Sequence, residues 1–161
     1  MPDGQGATVV IGLGNPIMGD DGFGLAALDA LRARWAPKAE VEFVDGGTWG
    51  LSLLPVVERA ERLLLLDAIE CGRAPGTVVR LCNDEIPSYL MTKVSPHQVD
   101  MREVLALAAL RGRAPAEVVA IGAQPAVVDL VGILSPEVEA AVETVAAAAV
   151  TQLEEWATGE R

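Results

Sequence analysis

Arg62-Leu63-Leu64-Leu65-Leu66-Asp67-Ala68 decides the fold. A run of leucines with no polar alternation reads as a strand covered on both faces. Strands of a parallel sheet sit this way, beneath helices on either side. Asp67 closes the run. A carboxylate beside such a stretch is costly to desolvate unless another group pairs with it. Asp67 is therefore either a functional acid or an acid bound by nearby loop amides.

The segments on either side follow the same logic. Thr8 to Leu13 is a short apolar run ending in glycines, a buried strand. Gly22 to Trp35 carries Phe23, Leu25, Leu28 and Leu31 as a helical stripe. Val41 to Val44 is a strand that stops at Asp45-Gly46-Gly47, and Gly50 to Arg59 is a short helix. Beyond the leucines, Pro75-Gly76 is a turn, Thr77 to Cys82 a strand, Ser95 to Arg111 a helix and Glu117 to Ile121 a last strand. Ser135 to Trp156 is a long terminal helix, with Ser135 as N-cap and Pro136 at the first helical position. Without repeats, low-complexity linkers or an internal boundary, residues 1–161 read as a single domain. Strands alternating with helices predict an α/β fold with three layers, α/β/α, around a twisted, mostly parallel central sheet of about five strands.

Composition supports a full core. Of the 161 residues, 51% are apolar and only 4% aromatic, so the core is built of Ala, Val, Leu and Ile. A chain of this size removes roughly 68–70% of its unfolded surface from water. The net charge of −11 argues against nucleic acid and against an anionic membrane surface, both of which need clustered Lys and Arg. It is compatible with cation binding, although a solvated acidic surface is the commoner cause. Cys71 and Cys82 match no paired-thiol motif. Met1 to Gly6 has neither a basic start nor a long apolar stretch, and the cytoplasm is the expected location. The Ala-rich stretch 144–150 is too short to span a bilayer.

In open α/β sheets, ligands sit in the crevice beyond the carboxyl ends of the strands. Asp21 follows the first strand, Asp45 ends the second and Asp67 ends the third. His97, the only histidine, stands in Lys93-Val94-Ser95-Pro96-His97-Gln98. This reads as a capping box, with Ser95 as N-cap, Pro96 first in the helix and Gln98 as reciprocal partner. In that first turn the positive end of the helix dipole opposes protonation. A neutral imidazole is what a metal ligand or general base needs. Two carboxylates and one neutral imidazole hold a divalent cation. The competing reading of His97 is an exposed side chain without a role.

Gly12-Leu13-Gly14-Asn15-Pro16-Ile17 fails the dinucleotide fingerprint, which needs a small residue at Ile17. Gly14 to Gly19 has the glycine spacing of a phosphate loop, but Asp20 and Asp21 stand where Lys and Ser or Thr belong. Such a loop favours a cation, unless Asp20 or Asp21 merely caps the next helix. The glycines of Asp45-Gly46-Gly47-Thr48 allow unusual backbone angles or a tight turn with Asp45 bonded to its own backbone. Cys71 reads as a partly buried free thiol rather than a soft metal ligand.

These pieces in order resemble the hydrogenase maturation endopeptidases, which process the large subunit of nickel–iron hydrogenases. The resemblance runs nearly end to end. It takes in Gly12-Leu13-Gly14-Asn15, Asp20-Asp21-Gly22-Phe23-Gly24, Asp45-Gly46-Gly47-Thr48 with Leu53-Leu54, and Asp67-Ala68-Ile69 with Pro75-Gly76-Thr77. It continues through Ser95-Pro96-His97-Gln98, Gly122-Ala123-Gln124-Pro125 and Leu134-Ser135-Pro136. Many members carry Glu where this chain has Asp21, and Ile where it has Ala123.

The resemblance implies a twisted sheet flanked by helices. It also implies that Asp21, Asp67 and His97 bind nickel or a substitute divalent cation and carry the catalysis. Asp20, Asp45, Gly46, Gly47 and Thr48 are candidate supporting positions. The implied activity removes a short C-terminal extension from the large-subunit precursor once nickel is installed. The nickel belongs to that precursor, and no organic cofactor is implied. No nucleophilic serine or cysteine has a nearby histidine partner, so covalent catalysis is not expected. Two competing readings are a hydrolase with its own resident metal and a non-catalytic nickel-sensing checkpoint protein. A nucleotide-binding domain is disfavoured by Ile17 and Asp20-Asp21. Apolar surface around Trp49 and Leu51 reads as a docking patch or as the sheet edge.

Overall fold

The computed structural model describes residues 6–36, 39–47, 50–91, 101–130 and 132–159. The strands are β1 (Ala7–Leu13), β2 (Val41–Gly47), β3 (Ala60–Ala68), β4 (Val78–Cys82) and β5 (Glu117–Ala123). They form one sheet in the order β2-β1-β3-β5-β4. The β1–β2, β1–β3 and β3–β5 pairs are parallel, and β4 joins β5 antiparallel at the edge. Helices α1 (Phe23–Arg34) and α5 (Pro136–Thr158) cover one face. Helices α2 (Leu54–Arg59), α3 (Ile86–Met91) and α4 (Met101–Leu110) cover the other. This is the expected three-layer architecture. No described helix is long and apolar enough to cross a membrane.

The leucines of β3 divide between the two faces, because successive strand side chains point in opposite directions. Leu64 and Leu66 join Phe23, Leu28 and Val145 under α1 and α5. Leu63 and Leu65 join Val57, Ile86 and Val104 under α2, α3 and α4. All four are fully buried, each contributing about 1.5–3 kcal/mol over an exposed position. The same alternation assigns the next residue, Asp67, to the α2–α4 face.

From β1 the chain passes to β2 on one side, and from β2 to β3 on the other. The switch point of the sheet therefore lies between β1 and β3, where the connections leaving neighbouring strands diverge. Gly24 lets α1 start directly on this point. A Cβ there would stand 2.2 Å from the Leu13 carbonyl oxygen and 2.3 Å from that of Leu66. The 3₁₀ turn Gly19–Gly22, which leads into α1, is thereby packed against β3.

Several boundaries differ from the sequence reading. β2 does not stop at Val44. Asp45 pairs with Gly12 and Gly47 with Leu13, and the register shift between these pairs accommodates Gly46. β5 continues past Ile121 to Ala123, alongside the end of β3. The stretch after β4, with no element expected, forms the 3₁₀ turn Asn83–Glu85 and then α3. Asn83 takes a positive φ of 39°, which Asn tolerates, and the Glu85 carboxylate accepts a hydrogen bond from the Cys82 amide at 3.1 Å to close the turn. α5 begins at Pro136 as expected, but Ser135 makes no side-chain cap bond. The expected capping box of 95–98 lies outside the described residues.

Candidate functional site

Asp67 is fully buried at the carboxyl end of β3. Its Oδ2 accepts a hydrogen bond from the Tyr89 hydroxyl of α3 at 2.8 Å. Burial pushes the Tyr89 phenol well above its ordinary value, and the charge and hydrogen bond of Asp67 push it further. The hydroxyl is thus the donor at any physiological pH. Gly122 of β5 pairs with Asp67, and a Cβ there would lie 1.9 Å from the Asp67 carbonyl oxygen. Glycine lets β5 close against the strand end that carries the acid.

Asp21 lies half-buried on the Gly19–Gly22 turn, and its Oδ2 accepts from the Asn15 amide at 3.0 Å. The loop is folded back on itself through Gly14, at φ 120°, where a Cβ would meet the Asp21 carbonyl oxygen at 1.8 Å. The Gly14 amide donates to the Gly47 carbonyl at 3.1 Å, which ties this loop to the end of β2. Neither aspartate caps α1. The N-cap is Gly22, without a side-chain cap bond.

Asp20 serves a different purpose from its neighbour. It is fully buried, and its Oδ2 accepts from the Ala126 amide (2.7 Å), the Val127 amide (2.8 Å) and the Ser135 hydroxyl (2.8 Å). Its Oδ1 accepts from the Ser135 amide at 2.6 Å. Burial opposes its charge, but these donors outweigh it and hold the carboxyl below its ordinary value. Asp20 clamps the 126–135 segment onto the glycine loop, which also explains where the Ser135 hydroxyl goes.

Gln124, at the end of β5, organises the chain after Asp67. Its Oε1 accepts from the Cys71 amide (2.7 Å), the Cys71 thiol (3.2 Å) and the Arg73 amide (3.3 Å). Its Nε2 donates to Glu70 (2.8 Å) and to the Pro125 carbonyl (3.1 Å). Cys71 is a half-buried free thiol, as its sequence context suggested.

Of the remaining expected positions, Asp45 is exposed and Gly46 is buried against Ile11 and Leu13. Gly47 takes a positive φ of 44°. Thr48, Trp49 and His97 lie outside the described residues, and Leu51 is half exposed. The structure thus brings the Asp21 turn to β3, the strand that carries Asp67 near its carboxyl end. Among the described residues, no three His, Cys, Asp or Glu side chains form a metal-holding group.

Two residues escaped the sequence reading. Gln124 stands in the sequence only as part of Gly122-Ala123-Gln124-Pro125, and no motif points to Tyr89. The signal that points to Tyr89 is the helical spacing of Ile86, Tyr89 and Leu90.

Comparison with known proteins agrees with this architecture. The sequence model of the family described as hydrogenase maturation protease matches residues 25–152. The hydrogenase expression/formation protein HupD of Rhodobacter capsulatus is 38% identical over 150 residues, covering 92% of this chain and 71% of that protein. The hydrogenase expression/formation protein HoxM of Cupriavidus necator is 40% identical over 150 residues, covering 92% of this chain and 74% of that protein. The solved structure of the hydrogenase maturating endopeptidase HybD from E. coli superposes with a TM-score of 0.86 at 32% identity, covering 92% of this chain and 93% of that one. By sequence and by fold, the chain belongs to the hydrogenase maturation protease family.

Proposed function

We propose that this chain is an endopeptidase that removes the C-terminal extension of the nickel-loaded large-subunit precursor of a nickel–iron hydrogenase. The observation that carries this reading, beside the family, is Asp67. It is a fully buried carboxylate at the end of the central strand, at the switch point beside the turn that holds Asp21. A carboxylate there, at the end of a leucine-lined strand, is costly to bury unless another group pairs with it, and the switch point is where a ligand can add to such pairing.

In this reading Asp21, Asp67 and His97 engage the nickel that the precursor brings. The metal is cargo, and other divalent cations can stand in for it. Three protein ligands leave coordination positions for groups from the precursor, so metal binding registers the scissile bond. The nickel or a carboxylate acting as base activates a water molecule. Its oxygen adds to the scissile carbonyl carbon, the C–N bond breaks, and the leaving nitrogen takes a proton. No organic cofactor takes part. Cytoplasmic placement belongs to the same proposal.

The test is cleavage of nickel-loaded precursor by Asp21→Asn, Asp67→Asn and His97→Ala, each checked for folding. Losses of about 100-fold or more are expected if the three act on the metal or the reacting water. Normal rates in all three would overturn the assignment.

A further inference from the structure

We propose that Tyr89 is a positioning residue for Asp67, its hydroxyl holding the carboxylate in the orientation in which it meets the precursor's metal. This rests on the reading of Asp67 given above. The bond, 2.8 Å long, joins two elements, α3 and β3. Both ends are withdrawn from water, Tyr89 at 5% and Asp67 at 0% exposure. The ring is held by its own helix, because Ile86 and Leu90 are buried in the same core cluster. The hydroxyl position is thus set by the packing of α3 rather than by a freely rotating surface side chain.

A purely structural pair would be poorly served by this chemistry. Replacing buried polar partners by apolar residues of similar volume is commonly neutral or stabilising. The core cluster that holds Tyr89 includes such residues, among them Leu65, Ile69 and Leu90. The donor is also neutral. A lysine or arginine in its place would compensate the buried carboxylate more strongly, but would cancel the charge that a cation needs. A phenol orients the carboxylate without bringing a positive charge of its own. Carboxylates that ligate metals are commonly held by such outer hydrogen bonds, and losing one typically costs about 10–100-fold in metal affinity or activity.

The experiment uses Tyr89→Phe, which keeps the ring and its packing, alongside Asp67→Asn and the double variant. Calorimetry measures the affinity of each for Ni²⁺ alone, and kinetics gives kcat and KM on nickel-loaded precursor. Tyr89→Phe is expected to lose about 10–100-fold in Ni²⁺ affinity or kcat/KM, with a thermal midpoint close to that of the parent. The double variant is expected to be no worse than Asp67→Asn, because both changes remove one device. If Tyr89→Phe matches the parent in both readouts while Asp67→Asn loses them, the role of Tyr89 is overturned and the reading of Asp67 stands. If Asp67→Asn also matches the parent, the reading of Asp67 falls and the proposal with it.

Should Tyr89→Phe fold poorly, the parent protein still decides. Tyr89 is its only tyrosine, so 3-fluorotyrosine labels that position alone. Its ¹⁹F resonance is expected to move on adding Zn²⁺ to the parent and to stay fixed in Asp67→Asn. A resonance that ignores Zn²⁺ bound by the parent would overturn the proposal.

Discussion

Asp20→Asn separates the work of two adjacent aspartates. The Asp20 carboxylate accepts three hydrogen bonds on Oδ2 and one on Oδ1, all from the 126–135 segment. An asparagine has one acceptor oxygen. If that oxygen takes the Oδ2 place, its amide nitrogen faces the Ser135 N–H, and two donors meet where a 2.6 Å bond was. One charge-assisted bond is lost outright, at about 1.5–3 kcal/mol, and the other three fall from charged to neutral strength. The total is about 3–5 kcal/mol, in the range seen when a buried pair loses one partner. For a domain of this size each kcal/mol lowers the thermal midpoint by roughly 2–4 °C. The expected drop is therefore roughly 6–20 °C by scanning calorimetry. Well below the new midpoint, cleavage of nickel-loaded precursor should stay within a few-fold of the parent, because these bonds hold a loop. If Asp20→Asn instead melts with the parent and loses cleavage, Asp20 belongs to the chemistry and the clamp reasoning is wrong.

Other perturbations have defined outcomes. Because Asp20 is held below its ordinary carboxyl value, its contribution is complete above the unfolded value, about pH 4, and is lost as pH falls through the lower folded value. The stability gap between parent and Asp20→Asn should shrink on that acid limb, as measured by urea unfolding at a series of pH values. Gln124→Leu leaves the Cys71 and Arg73 amides without their acceptor, so a loss of about 2–4 kcal/mol is expected. Faster amide exchange at residues 70–73 would accompany it. Gly14→Ala forces a Cβ to within 1.8 Å of the Asp21 carbonyl oxygen at a positive φ. A cost of about 2–4 kcal/mol and a matching loss of cleavage are expected, read by thermal melting and precursor processing.

What the sequence reveals depends on how local the deciding physics is. The leucines of β3 announce a doubly covered strand, because burial on both faces leaves no polar residue in the run. The direction of β4 is not legible in the same way. Val78 to Cys82 alternates in exposure as an edge strand does, and a period of two carries no information on whether its partner runs parallel or antiparallel. The division of labour between Asp20 and Asp21 is equally hidden. The amides that claim Asp20 lie more than a hundred positions away, at 126, 127 and 135. Asn83-Asp84-Glu85 and Pro87 mask the short helix that delivers Tyr89, because polar residues and a proline read locally as loop. The acids at the strand ends were legible because the switch-point rule assigns them an address from topology alone. The third expected ligand, His97, lies outside the described residues.

Nickel-gated cleavage is read from the intact mass of a large-subunit precursor from the same source. The precursor is incubated with this protein in nickel-loaded and nickel-free forms. Nickel gating predicts loss of a C-terminal fragment from the loaded form only. A loaded precursor that is bound but keeps its full mass would contradict it in favour of a checkpoint protein, and cleavage of both forms alike would contradict it in favour of a hydrolase with its own metal.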